Sequence, residues 1–344
     1  MGQSTYDAVV VGSGPNGLAA AITLQQAGLS VLVIEGKPTI GGGLRSAELT
    51  LPGFVHDICS AIHPLAAGSP FFKTLPLAEH GLTFVSPPVA AAHPLDGGRA
   101  AALRGSVAET ARSLGVDEQT YTAILGPLVE SWPGLAPDVL GPLRFPKHPI
   151  DLAAFGLNAL QPVTWLAKRF KTTEARGLLA GMAAHSIQPL TNLTTSAIAL
   201  VLTAVGHLQN WPVPLGGSNK IADALASYFQ SIGGTIVTDW LVKSLSELPP
   251  ARAVLLDVTP KQMLALAGDR FSPFYRKQLE HYRYGMGVFK VDWALDGPIP
   301  FTAPACRQAG TIHIGGTLEE ITAAEQQTSD GKHPDKPFVQ RTQP

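Results

Sequence analysis

Asp7-Ala8-Val9-Val10-Val11-Gly12-Ser13-Gly14-Pro15-Asn16-Gly17-Leu18 is a short apolar run that breaks into a glycine-rich turn. The run reads as a strand buried on both faces of a parallel sheet. Leu18 to Leu24 then supply strong helix formers until Gly28 ends the helix. A second apolar strand, Ser30 to Ile34, finishes on Glu35. This strand–turn–helix–strand order is the setting in which a G-x-G-x-x-G turn holds a dinucleotide. Gly12 permits the tight turn, Gly14 lets the backbone approach a pyrophosphate, and Gly17 lets the helix pack closely on the sheet. Ser13, Pro15 and Asn16 complete the turn, and the helix N-terminus presents its free N–H groups to phosphate. Glu35, eighteen residues after Gly17, is placed to accept hydrogen bonds from a ribose diol. Its charge disfavours a 2′-phosphate, and Gly36 beside it joins the candidate cofactor-binding set. A plain glycine turn in another α/β fold is the bland alternative, and this stretch leaves FAD and NAD both open.

Gly41-Gly42-Gly43-Leu44-Arg45-Ser46 follows after a linker containing Pro38. Successive glycine N–H groups with an arginine make a second anion cradle close to the first. Here the sequence resembles the phytoene desaturase-like NAD(P)/FAD-dependent oxidoreductases, a branch of the FAD-dependent amine oxidase and carotenoid desaturase superfamily. The resemblance implies an α/β fold: an FAD-binding Rossmann-like domain of the glutathione-reductase type with a second, mixed α+β substrate domain. It implies FAD, with Gly42, Gly43, Arg45 and Ser46 completing the pyrophosphate site. It also implies that Glu48 to Asp57 run along the flavin and that Cys59 to Pro64, with Ala61 and His63, approach its ring.

Farther along, Ser86-Pro87-Pro88, Trp132-Pro133-Gly134 and Phe145-Pro146-Lys147 read as turns separating helical segments over Leu152–Phe170, Arg176–His185 and Thr195–His207. The stretch around Trp165 suits core packing first and contact with a membrane surface second. Lys220 to Ile232 reads as a helix and Gly233 to Val237 as the start of a strand. By resemblance, residues around Val242 back the adenine end of FAD, and Val254 to Pro260 re-enter beside the cofactor. The expected FAD-binding domain is therefore discontinuous, 1–75 and 214–284, with 76–213 and 285–344 forming an incomplete substrate or cap domain. Gly287 to Leu295 alternates like a strand and is expected to pair with Thr311 to Gly316. Family members end on a glycine-rich segment that returns to the FAD domain. Gln326 to Pro344 is instead polar, apart from a strand-like Pro337-Phe338-Val339. The expectation is a C-terminally truncated chain, with a partner chain supplying the rest as the alternative, that by itself holds FAD weakly and has little activity.

Composition narrows the classes. With 344 residues, ~150 per domain suggests about two domains. Hydrophobic residues are 45% and charged residues 15%, which excludes a disordered chain. The net charge of −1 gives no basic excess for nucleic acid. Two cysteines, Cys59 and Cys306, in no paired spacing give no disulfide scaffold or dithiol centre. The N-terminus lacks a leader pattern, and the longest apolar stretch is too short to span a bilayer, so a cytoplasmic location is expected. No residue stands out as a catalytic acid or base. His63 is expected to hydrogen-bond locally beside Pro64, and His185 and His207 to sit as satisfied core or pocket-wall groups. Cys59 reads as an isolated buried thiol, and Trp211 as cavity lining or plain packing. His56 and His63 with Asp57 lack a further metal ligand at sensible spacing, so no metal is expected. The leading expectation is an FAD-dependent desaturase-, dehydrogenase- or isomerase-like enzyme that transfers hydride from an apolar, polyene- or lipid-like substrate. The alternatives are a non-enzymatic binder on the same fold, like the Rab GDP-dissociation inhibitors, and an NAD-dependent dehydrogenase. The intact phosphate cradles count against the binder, and the second cradle counts against the simple NAD enzyme.

Overall fold

The first apolar run, glycine turn and second apolar run become a parallel crossover unit in the computed structural model, which describes residues 5–343. In chain order the main elements are β1 (Tyr6–Val11), α1 (Pro15–Gln26), β2 (Val31–Ile34), β3 (Val89–Leu95), β4 (Arg99–Leu103), α2 (Glu118–Val139), α3 (Pro149–Ala159), α4 (Thr173–Ala184), α5 (Thr195–Gln209), α6 (Asn219–Ser231), β5 (Thr235–Val237), β6 (Ala251–Leu256), β7 (Ala309–Ile314), α7 (Leu318–Ser329) and β8 (Val339–Thr342).

The first sheet has the order β6-β1-β2-β5, all parallel, with Val9 opposite both Val254 and Leu32 and Val33 opposite Ile236. The central strands β1 and β2 read as apolar runs because both their faces are covered, while the edge strands β6 and β5 are partly exposed. On one face Ala8, Val10, Val31 and Val33 meet Leu18 and Ile22 of α1 and Ile221, Leu225 and Phe229 of α6. On the other, Val9, Val11, Leu32 and Ile34 pack with Val242. The strand β1, helix α1 and strand β2 fall where the sequence places them.

The second sheet has the order β8-β7-β3-β4. Strand β7 runs parallel to β3 and antiparallel to β8, with Thr311 opposite Ala91 and Ile314 opposite Val339. The strand-like Phe338-Val339 thus leads into a real strand. Strand β7 is paired on both sides, so no ladder remains for the alternating segment Gly287–Leu295. That expected pairing does not form: the segment carries no strand, and Val288, Phe289 and Trp293 are exposed.

Two helical expectations also change. Trp132-Pro133-Gly134 is not a turn but lies inside α2, which contains Pro127, Pro133 and Pro137. Tyr121, Leu125, Leu128, Trp132 and Leu135 recur at four and three and are all buried. That seam outweighs the lost backbone hydrogen bonds. The segment Leu152–Phe170 is not one helix. Helix α3 ends at Ala159, and Pro162, which has no N–H, opens a separate turn over Val163–Leu166.

Buried Asp117 ties α2 to α4. Its carboxylate accepts the Lys171 and Thr172 N–H groups, each at 2.8 Å, and the Thr172 hydroxyl at 2.6 Å, while Thr172 caps α4 by accepting the Ala175 N–H. Asp117→Ala orphans three donors at once and is expected to cost about 3 kcal/mol in urea unfolding, with Asp117→Asn costing less. An unchanged midpoint for Asp117→Ala would show that water replaces the carboxylate.

Candidate functional site: two abutting glycine turns

The turn after β1 is closed by hydrogen bonds from three directions. The Gly12 N–H donates to the Ile34 carbonyl at 2.8 Å, and the Asp257 N–H donates to the Val11 carbonyl at 2.8 Å. The Asp257 carboxylate accepts the Gly17 N–H at 2.8 Å. Gly12 has φ +107°. A methyl at Gly17 would overlap the Gly12 carbonyl oxygen and stand 2.8 Å from Asp257 Oδ2. Glycine is therefore required at both positions, and at Gly17 the close neighbour is the loop after β6 as much as the sheet. Pro15 and Asn16 form the first turn of α1, with Asn16 exposed.

Glu35 is buried at the end of β2. Its Oε2 accepts both the Ser13 N–H at 3.1 Å and the Ser13 hydroxyl at 2.6 Å, and its Oε1 accepts the Lys37 N–H at 3.0 Å. A carboxylate has about four acceptor sites, so three bonds leave one for a ligand hydroxyl. Gly36 lies against Leu241, where a methyl would stand 3.0 Å from Leu241 Cδ1.

The second turn touches the first. The Gly41 N–H donates to the Ser13 carbonyl at 3.0 Å, and a methyl at Gly42 would lie 3.2 Å from the Gly14 Cα. The Arg45 Nε–H donates to the Gly42 carbonyl at 3.0 Å, which fixes the guanidinium beside this turn. Ser13 thus joins both turns and Glu35 in one hydrogen-bonded unit. Gly43 lies near Cys59, which is exposed rather than buried because its chain segment runs over the surface of this turn.

Ser46 and His63 enter through a second network at the start of α6. Asp57 accepts the Ser46 hydroxyl at 2.6 Å and the Ser218 N–H at 2.7 Å, and Ser46 accepts the Asn219 N–H at 3.1 Å. The Ser218 hydroxyl donates to the Ser60 carbonyl at 2.7 Å, so it accepts from His63 Nε2 at the same distance. His63 therefore carries its proton on Nε2. Its partner is 155 residues away and not local, because Ser218 is brought over it by the turn into α6. Burial lowers the His63 pKa, opposed by the Asp57 charge, so the ring is neutral near pH 7. The His63 backbone N–H donates to the Pro212 carbonyl, and beyond Pro212 lies a cleft of about 310 Å³ walled by Ala66, Phe72, Leu77, Leu82 and Phe84 with Lys73. Ala61 is half-buried between Ser60 and His63. Val242 sits with its side chain in the apolar cluster under the sheet.

Other singled-out residues lie in the second sheet's core. His207 Nδ1–H donates to the Arg104 carbonyl at 3.1 Å, and Nε2 accepts the Tyr121 hydroxyl at 2.7 Å. His185 meets His313 at 2.9 Å, Nε2 to Nε2. Trp211 is fully buried and donates to the Leu202 carbonyl, which is packing. The sequence reading gives Asp257, Ser218 and Asp57 no role of their own, although Asp257 lies in the stretch expected to re-enter beside the cofactor and Asp57 in the stretch expected along the flavin. Only Asp257 left a signal, as the acid ending the apolar run Val254–Leu256.

Residues 10–74 match the family model described as an NAD(P)-binding Rossmann-like domain. Over 96% of its length the chain is 25% identical to an uncharacterized protein of Mycobacterium tuberculosis, covering 67% of that protein. An oxidoreductase from Methanosarcina mazei superimposes with TM-score 0.55 at 17% identity, covering 81% of this chain and 65% of that one. Putrescine oxidase bound to putrescine gives 0.53 at 20% identity, covering 82% and 65%. The chain thus spans about two thirds of the length of these relatives, carries a match to a Rossmann-like nucleotide-binding unit over residues 10–74 and shares the fold of these two solved structures.

Proposed function

We propose that the chain binds FAD and forms the cofactor-holding part of an oxidoreductase that acts on an apolar substrate. The observation that carries this reading is the contact of the two glycine turns at Gly14 and Gly42, stitched together through Ser13. One turn suffices for a simple dinucleotide domain. Two abutting turns with an arginine offer N–H groups and a cation to both phosphates of a pyrophosphate. A methyl at either turn would fill the approach, so the residues present fit the group.

In this reading the Gly14 and Asn16 N–H groups and the Arg45 guanidinium hold the pyrophosphate, with Gly43 and Ser46 lining it. The free Glu35 acceptor site takes a ribose hydroxyl, and its charge excludes a 2′-phosphate. Ala61 and His63 bound the flavin side, Val242 supports the adenine side from beneath, and neutral His63 orders the wall by donating to Ser218. When bound, FAD supplies hydride acceptance, and the protein supplies orientation and exclusion of water. Residues 1–75 and 214–284 form the cofactor unit, and 76–213 with 285–344 the substrate side. The apolar substrate class, of polyene or lipid type, rests on the cleft beside Pro212. The match to an NAD(P)-binding model favours NAD as the second reading. Reconstituting the chain with FAD, desalting it and recording its visible spectrum tests the proposal.

A further inference from the structure

Helix α3 is apolar on two opposite faces. Leu152, Phe155 and Ala159 turn inward and pack on the helical core. Ile150, Ala153, Ala154 and Leu157 recur at three and four on the other side and are exposed, Ile150 at 83% and Leu157 at 80%. Among the described residues nothing covers that side. The loop before α3 continues it. Asp138 accepts the Lys147 and His148 N–H groups and the Arg144 guanidinium, and so anchors a loop on which Leu143 and Phe145 stand fully out. Beyond α3, the Thr194 N–H donates to the Leu160 carbonyl and Arg169 donates to Asn158, which brings exposed Leu160, Leu193 and the cation to the same end. Trp165, 59% exposed, stands one turn farther on.

The charge is as segregated as the apolar surface. The whole chain has net charge −1, yet residues 140–171 hold five cations, Arg144, Lys147, Lys168, Arg169 and Lys171, against Asp138 just before them and Asp151 within. Asp138 is already engaged by Arg144 and the loop N–H groups. All five cations are exposed. Long apolar side chains with a tryptophan and bordering lysines and arginines are the composition that lies in the plane of an anionic bilayer, since the aliphatic stems follow the apolar part and the charges stay with the headgroups. No helix of the described residues is long and apolar enough to cross one.

We propose that the exposed face of α3, with the loop 140–148 and Trp165, docks the protein on the surface of a lipid bilayer bearing anionic headgroups. The inference is independent of the cofactor reading. The test is sedimentation of the full chain with vesicles of equimolar phosphatidylcholine and phosphatidylglycerol, with pure phosphatidylcholine vesicles as the comparison. The wild type is expected to partition onto the mixed vesicles and far less onto the neutral ones. Ile150→Ser with Leu157→Ser, both at exposed positions, is expected to lower partitioning about tenfold or more. Lys147→Gln with Lys168→Gln is expected to lower it about tenfold on the mixed vesicles alone. Trp165 emission should shift to the blue on binding, read as the difference from Trp165→Phe. Circular dichroism of each variant separates lost docking from lost folding. Two results would overturn the proposal: no partitioning of folded wild type, or a concentration-dependent dimer that the serine pair dissolves in the absence of vesicles.

Discussion

Gly17→Ala is expected to destabilise the protein by about 3 kcal/mol or more and to remove its capacity for FAD. The added methyl meets the Gly12 carbonyl oxygen and Asp257 Oδ2, both held in place by backbone bonds. Neither can retreat without opening the junction of β1, α1 and β6. Gly42→Ala makes the informative contrast. Its methyl would face the Gly14 Cα at 3.2 Å from a backbone with φ +55°, a conformation costing about 1 kcal/mol for alanine. It should leave folding nearly intact yet block the approach between the two turns. Urea unfolding reads the first effect and flavin retention after desalting reads the second. Equal loss of stability in both variants would mean that the second turn is structural packing and not a cradle.

The second large effect is acid sensitivity centred on buried histidines. Burial lowers both His185 and His207 from 6.5 to about 4, with the Arg104 carbonyl partly opposing this at His207. Each is neutral in the fold and, as a hydrogen-bond acceptor, cannot take a proton without losing a partner. The exception is the donating member of the His185–His313 pair, where the added proton goes to Nδ1 and is opposed chiefly by burial. Since the folded pKa lies below the unfolded one, the unfolded chain binds more protons between pH 6.5 and 4. Stability is therefore full above pH 6.5 and is lost as pH falls towards 4, by roughly 3 kcal/mol for each histidine. Urea midpoints measured across that window should fall steeply. His207→Gln retains a donor and an acceptor without the titration, and should flatten the fall in part, since burial also lowers His63, His93 and His313. A profile that is flat in the wild type, or as steep in the variant, would contradict this.

What the sequence discloses and what it hides follow from separation along the chain. The unit β1–α1–β2 is legible because its periodicity, glycines and terminal acid lie within thirty residues, and propensity agrees with packing throughout. The prolines of α2 mislead, since local chemistry says turn while a seam of five buried residues says helix. The alternation of Gly287–Leu295 suits a strand, but pairing depends on a free edge, and β3 and β8 occupy both edges of β7. Glu35 is legible as an acid at a strand end, but not the Ser13 bonds that tie it to both turns. Asp257, Ser218 and the His185–His313 contact join positions 128 to 240 residues apart, and no local pattern encodes them.

The visible absorption spectrum of the chain after reconstitution with FAD and desalting tests the central claim most directly. Against the weak holding expected of a truncated chain, two abutting turns, a buried acceptor carboxylate and a fixed arginine predict a flavin band that survives desalting, diminished in Gly42→Ala and not displaced by excess NAD. A colourless wild type that is folded by circular dichroism, or a band that NAD removes, would contradict the assignment of FAD to this site.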